Sequence, residues 1–264
     1  MASSAGHVTS SVLRWAGPYA LLAKLGEGGQ GAVYLARSPD GRQVALKLLH
    51  ARVAFGEQAG FLAEADSDPR VPGFATARVL DVGIDDGTPY IVSEYVPGPS
   101  LEQLIHREGP RPADSLIRLS IVTAAALKGI HGAGVVHRDF KPANVLMAQD
   151  GPRVIDFGIA RAVDRLTISA GAAGTPAFMS PEQAEGRRVG PASDVFSWGV
   201  TMYFAATGRL AFDGRSAWAV ADQIVNHDPD VRMLPTPLRD VVAASLHKSA
   251  DSRPSTAQLM NLSQ

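Results

Sequence analysis

No cysteine occurs among the 264 residues. The chain therefore forms no disulfide, offers no thiolate to a metal and carries no cysteine nucleophile. That lack fits the cytosol without fixing a compartment. Neither sign of charge is in excess. The 25 Lys and Arg against 26 Asp and Glu leave a formal charge of −1, so no bulk attraction to nucleic acid or to an anionic membrane is expected. Long apolar runs are also missing. The most apolar window, VFSWGVTMYFAA at 195–206, falls short of the roughly 20 residues that a membrane-spanning helix needs. Apolar on every side, it reads as a helix buried in a core. The opening MASSAGHVTSSVLRWAG has no basic stretch followed by an apolar one. It reads as a flexible leader over 1–18 rather than a signal peptide. The sequence shows no internal repeat and no low-complexity tract.

The chain is 45% hydrophobic, enough for a sizeable core in one large domain or two lobes. Its first third reads as strands. LLAKL (21–25), AVYLA (32–36) and QVALKLL (43–49) are separated by the turn-forming GEGGQG and SPDGR. A helical stretch is expected around Gln58–Ala65, weakened by Gly56 and Gly60. Two further strands follow at 77–83 and 89–96. After VPGPS (96–100) the period changes to that of helices. SLEQLIHRE and PADSLIRLSIVTAAALKGIHGAG come first, with Pro112 near a helix start and Gly132 or Gly134 near its end. Short strands at 145–147 and 153–155 flank AQDGP. Helices are expected at 194–207, 216–227, 236–247 and 255–261. The sequence thus predicts a small β-rich lobe, a Pro/Gly hinge near 96–100 and a larger helical lobe, with a ligand cleft between them.

GEGGQG (26–31) satisfies G-x-G-x-x-G through Gly26, Gly28 and Gly31. In a chain with 26 glycines that pattern should arise by chance about 0.3 times, so alone it is weak. A dinucleotide fingerprint would need a helix to begin at the third glycine. AVYLA follows instead and reads as a strand. A strand–loop–strand hairpin of this kind can lay backbone N–H groups over phosphates. Lys47 stands within an apolar strand, where an ammonium would be a compact charge for phosphate oxygens. Such a lysine needs a carboxylate to hold it, either Glu64 in FLAEA or Glu57.

HRDFKPANVL (137–146) is far more specific. Its five fixed positions in H-R-D-x-K-x-x-N should occur by chance in roughly 10⁻⁴ of chains this long. DFG follows at 156–158 and GTPAFMSPE at 174–182. Together these resemble the motifs of eukaryotic-type, or Hanks-type, bacterial serine/threonine protein kinases. The resemblance runs from about Leu21 to Leu259. It implies an α+β, bilobal protein-kinase-like fold. The N-lobe would span 19–96 and the C-lobe 97–264, with the kinase domain at about 19–262.

The resemblance also implies roles. Asp139 orients and deprotonates the acceptor hydroxyl, Lys141 stabilises the moving phosphoryl group, and Asn144 and Asp156 hold a divalent metal. Lys47 and its partner Glu64 complete the catalytic set. Leu25, Gly26, Glu27, Gly28, Gly29, Gln30 and Gly31 form the nucleotide loop. Val33 and Ala45 cover the adenine and Leu146 underlies it. Glu94 and Val96 offer hinge backbone groups, and a small Ser93 at the gatekeeper position opens a pocket behind the ring. Thr175 is expected to bond toward Asp139 and Lys141, the pattern of Ser/Thr-directed enzymes. His137 is expected to pack beneath Phe157. Glu182 should pair with Arg253 in the interior, and Asp194 should accept backbone N–H groups of the HRD loop. Arg138 implies an activation loop ordered by phosphate, with Thr167 or Ser169 as the residue modified.

The expected cofactors are ATP and Mg²⁺, with Mn²⁺ as a substitute. The expected partners are protein substrates, with no nucleic acid, no membrane contact from this segment, and homodimerisation through the N-lobe. The expected location is cytoplasmic, either free or as the cytosolic domain of a membrane-anchored kinase. Two rival readings stay open. A pseudokinase scaffold would be favoured by a degraded Lys47, Asp139 or Asp156. A small-molecule phosphotransferase would need no peptide platform such as GTPAFMSPE.

Overall fold

A computed structural model of the chain describes residues 12–50, 73, 75–157 and 176–262. They group into two compact units, one drawn from 12–50 and 79–95, the other from 73–78, 96–157 and 176–262.

Alternation of apolar and polar side chains builds the first unit. In β4 (Gln43–Leu49), Val44, Leu46 and Leu48 are buried while Ala45 and Lys47 are half-buried on the other face. Period-two patterning of this kind gives a sheet one apolar face. The sheet contains β1 (Arg14–Ala16), β2 (Tyr19–Gly28), β3 (Gly31–Arg37), β4, β5 (Val79–Asp85) and β6 (Thr88–Glu94), in the spatial order β1-β2-β3-β4-β6-β5. Every pairing is antiparallel. Leu21, Ala36, Val44, Leu46, Leu48, Tyr90 and Val92 form its core.

Two readings of the sequence are corrected here. The leader is not loose at 14–16. Those residues pair with β2, Leu13 N donates to Leu21 O at 2.8 Å, and Ala16 is fully buried. The stretch 75–78 belongs to the helical unit rather than to a strand beginning at 77. Thr76 makes a parallel bridge with Val154, Val154 N donates to Ala75 O at 2.8 Å, and Ala77 N donates to Val154 O at 3.1 Å. The helix expected around 58–65 lies outside the described residues.

The second unit contains α1 (Leu101–Glu108), α2 (Ala113–Gly132), the hairpin β7 (Val145–Ala148) and β8 (Gly151–Val154), and then α3 (Pro181–Ala184), α4 (Pro191–Thr207), α5 (Ala217–Asn226), α6 (Thr236–Ser245) and α7 (Thr256–Leu262). Ser100 and Gln103 cap α1 reciprocally, side chain to backbone in both directions. In α4 every residue from Ser193 to Ala205 is buried, as its all-round apolar character implies. Trp198 of α4 donates Nε1–H to Thr123 Oγ1 of α2 at 2.9 Å, so its single polar atom is satisfied inside the core. Among the described residues no helix is long and apolar enough to cross a membrane.

Candidate active site

In the first unit, sheet register sets the candidate nucleotide residues. Val33 stands opposite Lys47, Ala45 lies between Leu35 and Ser93, and Gly26 pairs with Val33. Directly opposed residues of an antiparallel ladder share a face. Val33, Ala45, Lys47 and Ser93 therefore lie together on the face turned away from the Leu46 core. Leu25 is exposed at the end of β2, Glu27 takes the Lys24 ammonium and lies 3.6 Å from His50 Nε2, and Gly29 and Gln30 form the turn into β3. Glu94 ends β6.

The three glycines of the motif are not equivalent. A Cβ built on Gly31 would lie 2.1 Å from the carbonyl oxygen of Leu48, so the strand crossing itself demands glycine there. For Gly26 and Gly28, nothing among the described residues lies within 4 Å of such a Cβ. Packing within the sheet does not explain those two, and they leave room where a ligand can approach the backbone. Lys47 Nζ donates to Gln30 Oε1 at 3.1 Å, and His50 N donates to Gln30 O at 3.0 Å. Glu64 and Glu57 lie outside the described residues.

In the second unit, the end of α2 aims the chain into the HRD loop. Gly134 adopts φ +77°, Val135 N donates to Ile130 O at 3.2 Å, and Gly134 N donates to His131 O at 3.0 Å. This pair of bonds is the Schellman arrangement, which requires a left-handed residue and hence favours glycine. Next comes Arg138 at φ +66°, a conformation costly for a long side chain. Asp194, 1% exposed at its side chain, holds it. Its Oδ2 accepts from His137 N and its Oδ1 from Arg138 N, both at 2.8 Å, and His131 Nε2 lies 2.7 Å from Oδ2. Gln183 Nε2 donates to Arg138 O at 2.7 Å. The expected anchoring by Asp194 is therefore present. His137 is fully buried and meets the ring of Phe140 edge-on at 5.6 Å. Phe157 is buried in the same core.

Beyond that anchor the loop gathers its polar groups around one carboxylate. Lys141 Nζ donates to Asp139 Oδ2 at 2.8 Å, and Asn144 Nδ2 donates to Asp139 O at 2.7 Å and Oδ2 at 3.2 Å. Both Asp139 atoms are acceptors, which fixes the Asn144 amide with its N–H₂ toward Asp139 and leaves Oδ1 as the atom that could ligate a metal. The β7–β8 hairpin then brings Asp156 back beside Asn144. Val145 pairs with Val154, and Ile155 N donates to Asn144 O at 3.0 Å. Asp156 follows at φ +62°. One carboxylate and one amide oxygen are hard donors, and among the described residues no cluster of three metal-ligating side chains exists. That sparse set fits Mg²⁺, which keeps several waters and takes its remaining ligands from phosphates. Leu146 lies in β7, bridged to Ser100. Val96 begins the stretch that enters this unit. Thr167, Ser169 and Thr175 lie outside the described residues.

The expected interior ion pair is also present. Arg253 NH1 and NH2 donate to Glu182 Oε1 and Oε2 at 2.8 and 2.9 Å. The rest of the guanidinium donates to the carbonyls of Ala192, Lys248 and His247. Ser193 Oγ donates to Glu182 Oε1. Burial pushes the Glu182 carboxyl up, but the hydrogen bonds from Arg253 and Ser193 outweigh it and hold the pKa at about 2, against an ordinary 4.5. A pKa depressed by folding stabilises the fold above the unfolded value and ceases to do so as pH falls through the folded one. Stability is therefore expected to drop by about 3 kcal/mol between pH 5 and pH 2 through this group. Urea denaturation across that range should show the slope, and Glu182→Gln should flatten it.

Three supporting residues were not anticipated. His131 and Ser193 reach their partners only through the fold. Gln183 could have been suspected from the S-x-x-Q spacing of Ser180 and Gln183, a helix-capping signature. Its second role at Arg138 O has no sequence signal.

Comparison with known proteins agrees with this geometry. Residues 19–263 match the protein kinase domain family. Over 248 residues the chain is 44% identical to a probable serine/threonine-protein kinase, PkwA, of Thermomonospora curvata, covering 92% of this chain and 33% of that protein. It is 45% identical over 248 residues to the serine/threonine-protein kinase AfsK of Streptomyces coelicolor, covering 92% of this chain and 31% of that protein. A serine/threonine-protein kinase of Myxococcus xanthus, pkn3, is 35% identical over 263 residues, covering 91% and 48%. The chain thus spans about a third of the length of the first two relatives. The HRD loop anchored on α4, the Asp139–Lys141–Asn144 cluster and a match over nearly the whole chain agree on one assignment: this chain belongs to the protein kinase domain family.

Proposed function

We propose that this chain is the catalytic domain of a bacterial serine/threonine protein kinase, moving the γ-phosphoryl group of ATP to Ser and Thr hydroxyls of proteins and of itself. Use of ATP with a divalent cation, and of protein acceptors, goes with the family. The observation that carries the reading is the Asp139 carboxylate, held on Oδ2 by both Lys141 and Asn144.

With Oδ2 so occupied, Oδ1 is the oxygen that orients the acceptor hydroxyl and takes its proton. The Lys141 ammonium, already at that carboxylate, stabilises negative charge on the group in transit. In the sheet unit, Lys47 and the backbone of Gly26–Gly31 hold phosphates, with Glu64 as the partner assigned to Lys47. Val33, Ala45 and Ser93 meet the adenine there, with the backbone of Glu94 completing its contacts within that unit. Asn144 Oδ1 and the Asp156 carboxylate would hold Mg²⁺, which would supply charge neutralisation to phosphate oxygens. A cytoplasmic location, free or on a membrane-anchored protein, goes with the use of ATP. None of Lys47, Asp139 and Asp156 is substituted, which weighs against a catalytically silent scaffold.

Incubation with γ-labelled ATP and Mg²⁺ tests this. Label is expected on phosphoserine and phosphothreonine, with Thr167 or Ser169 among the modified positions in peptide mass spectrometry. Chelation by EDTA should lower incorporation at least about 100-fold, and added Mg²⁺ should restore it. Binding of ATP without transfer would point to a scaffold. Transfer to small alcohols but not to protein would point to the other rival.

A further inference from the structure

The tip of the glycine hairpin is clipped to β4 at two points. One is the backbone bond from His50 N to Gln30 O at 3.0 Å. The other is a side-chain bond from Lys47 Nζ to Gln30 Oε1 at 3.1 Å. The first continues the β3–β4 ladder beyond Gly31 and Leu49, and any residue at 30 would keep it. The second depends on the carboxamide. Through it the loop places a neutral oxygen acceptor on the ammonium assigned to nucleotide phosphate.

We infer that Gln30 is an internal stand-in for a phosphate oxygen, closing the loop tip onto Lys47 and setting how strongly this chain binds phosphorylated nucleotide over the bare nucleoside. The inference rests on the phosphate role given above to Lys47. The chemistry is competitive. An amide oxygen and a phosphate oxygen both accept from the ammonium N–H, but only the phosphate adds an opposite net charge, and Coulomb attraction favours it. Nucleotide therefore displaces Gln30, and part of its binding free energy is spent in doing so. Among the described residues nothing lies within 4 Å of a Cβ built on Gly26 or Gly28, so that segment has room to move, while Gly31, pressed against Leu48 O, fixes where it ends. Gln30 is thus a positioning residue acting through Lys47, and its effect is confined to ligands that carry phosphate.

The test compares affinities of the whole chain for ATP, ADP and adenosine by calorimetry. Gln30→Ala is expected to tighten ATP and ADP by about 3- to 10-fold, the scale of one net hydrogen bond, with adenosine unchanged. Gln30→Glu puts a carboxylate on the ammonium and is expected to weaken ATP by more than about 10-fold, again sparing adenosine. Equal shifts for all three ligands, or weaker ATP binding in Gln30→Ala, would overturn the inference by showing that Gln30 shapes the loop or helps Lys47 reach the phosphate. Lys47→Met separates the two layers. It should lower the preference for ATP over adenosine, the glycine-loop backbone and the metal keeping part of it. If that preference is unchanged, the phosphate role of Lys47 fails and this inference with it. If the preference falls while the Gln30 variants bind like wild type, the stand-in role alone fails.

Discussion

Asp139→Asn is expected to lower the rate of phosphoryl transfer by roughly 10²- to 10⁴-fold, the usual worth of a positioned general base, while leaving the affinity for ATP within about 3-fold of wild type. The asparagine is isosteric, and the backbone around it stays fixed. The His137 and Arg138 amides remain on Asp194, and Asn144 still reaches the main-chain oxygen of residue 139. What changes is the charge and basicity of the group that takes the proton. An interaction used only in the transition state reduces kcat with little change in KM. Single-turnover transfer from Mg-ATP, measured beside ATP binding, reads both quantities. Turnover above a tenth of the wild-type rate would remove Asp139 from the role of base.

The second large effect concerns folding. Arg253→Ala is expected to destabilise the chain by about 3–5 kcal/mol, the penalty for leaving one member of an interior ion pair without the other. The guanidinium reaches two carboxylate oxygens and three carbonyls at once, and its loss removes a donor from each of the five, leaving Glu182 Oε1 with Ser193. It also lies over the ring of Phe196 at 5.0 Å, beside a stacked Phe212, so aromatic packing is lost with the charge. For a chain of this size the melting temperature should fall by roughly 10 °C. A double replacement, Glu182→Leu with Arg253→Met, should recover much of the loss, because an apolar pair of similar volume carries no desolvation cost. Calorimetric unfolding of the two variants checks the claim. A loss below about 1 kcal/mol for Arg253→Ala would show that the pair is dispensable.

Most of the architecture was legible because its signals are local. QVALKLL alternates as a strand should, and the buried face in the structure is the one its valine and leucines mark. The helix from Ala113 ends where two glycines end it, and the unbroken apolar run at 195–206 became a helix buried on every side. The chemical residues were legible for a different reason. HRDFKPANVL compresses an aspartate, a lysine and an asparagine into one loop, so chain spacing is nearly spatial spacing there. What escaped was non-local. β1 has three residues, too few to show a period. The stretch 75–78 goes to the helical unit only because β8, far along the chain, offers it a parallel partner. His131 meets Asp194 across 63 positions, and Gln30 meets Lys47 across a hairpin. No composition or spacing rule reaches such pairs.

The β7–β8 hairpin bears on how this chain can vary. Asn144 precedes its first strand and Asp156 follows its second, and the pairing of Val145 with Val154 sets their separation. Residues added or removed at the tip, around Gln149 and Asp150, lengthen or shorten an exposed bend and leave both ends where they are. A slip of one residue in the ladder would instead turn every side chain of one strand to the opposite face and carry Asp156 away from Asn144. The tip is free to drift in length over evolutionary time, and the ladder is not.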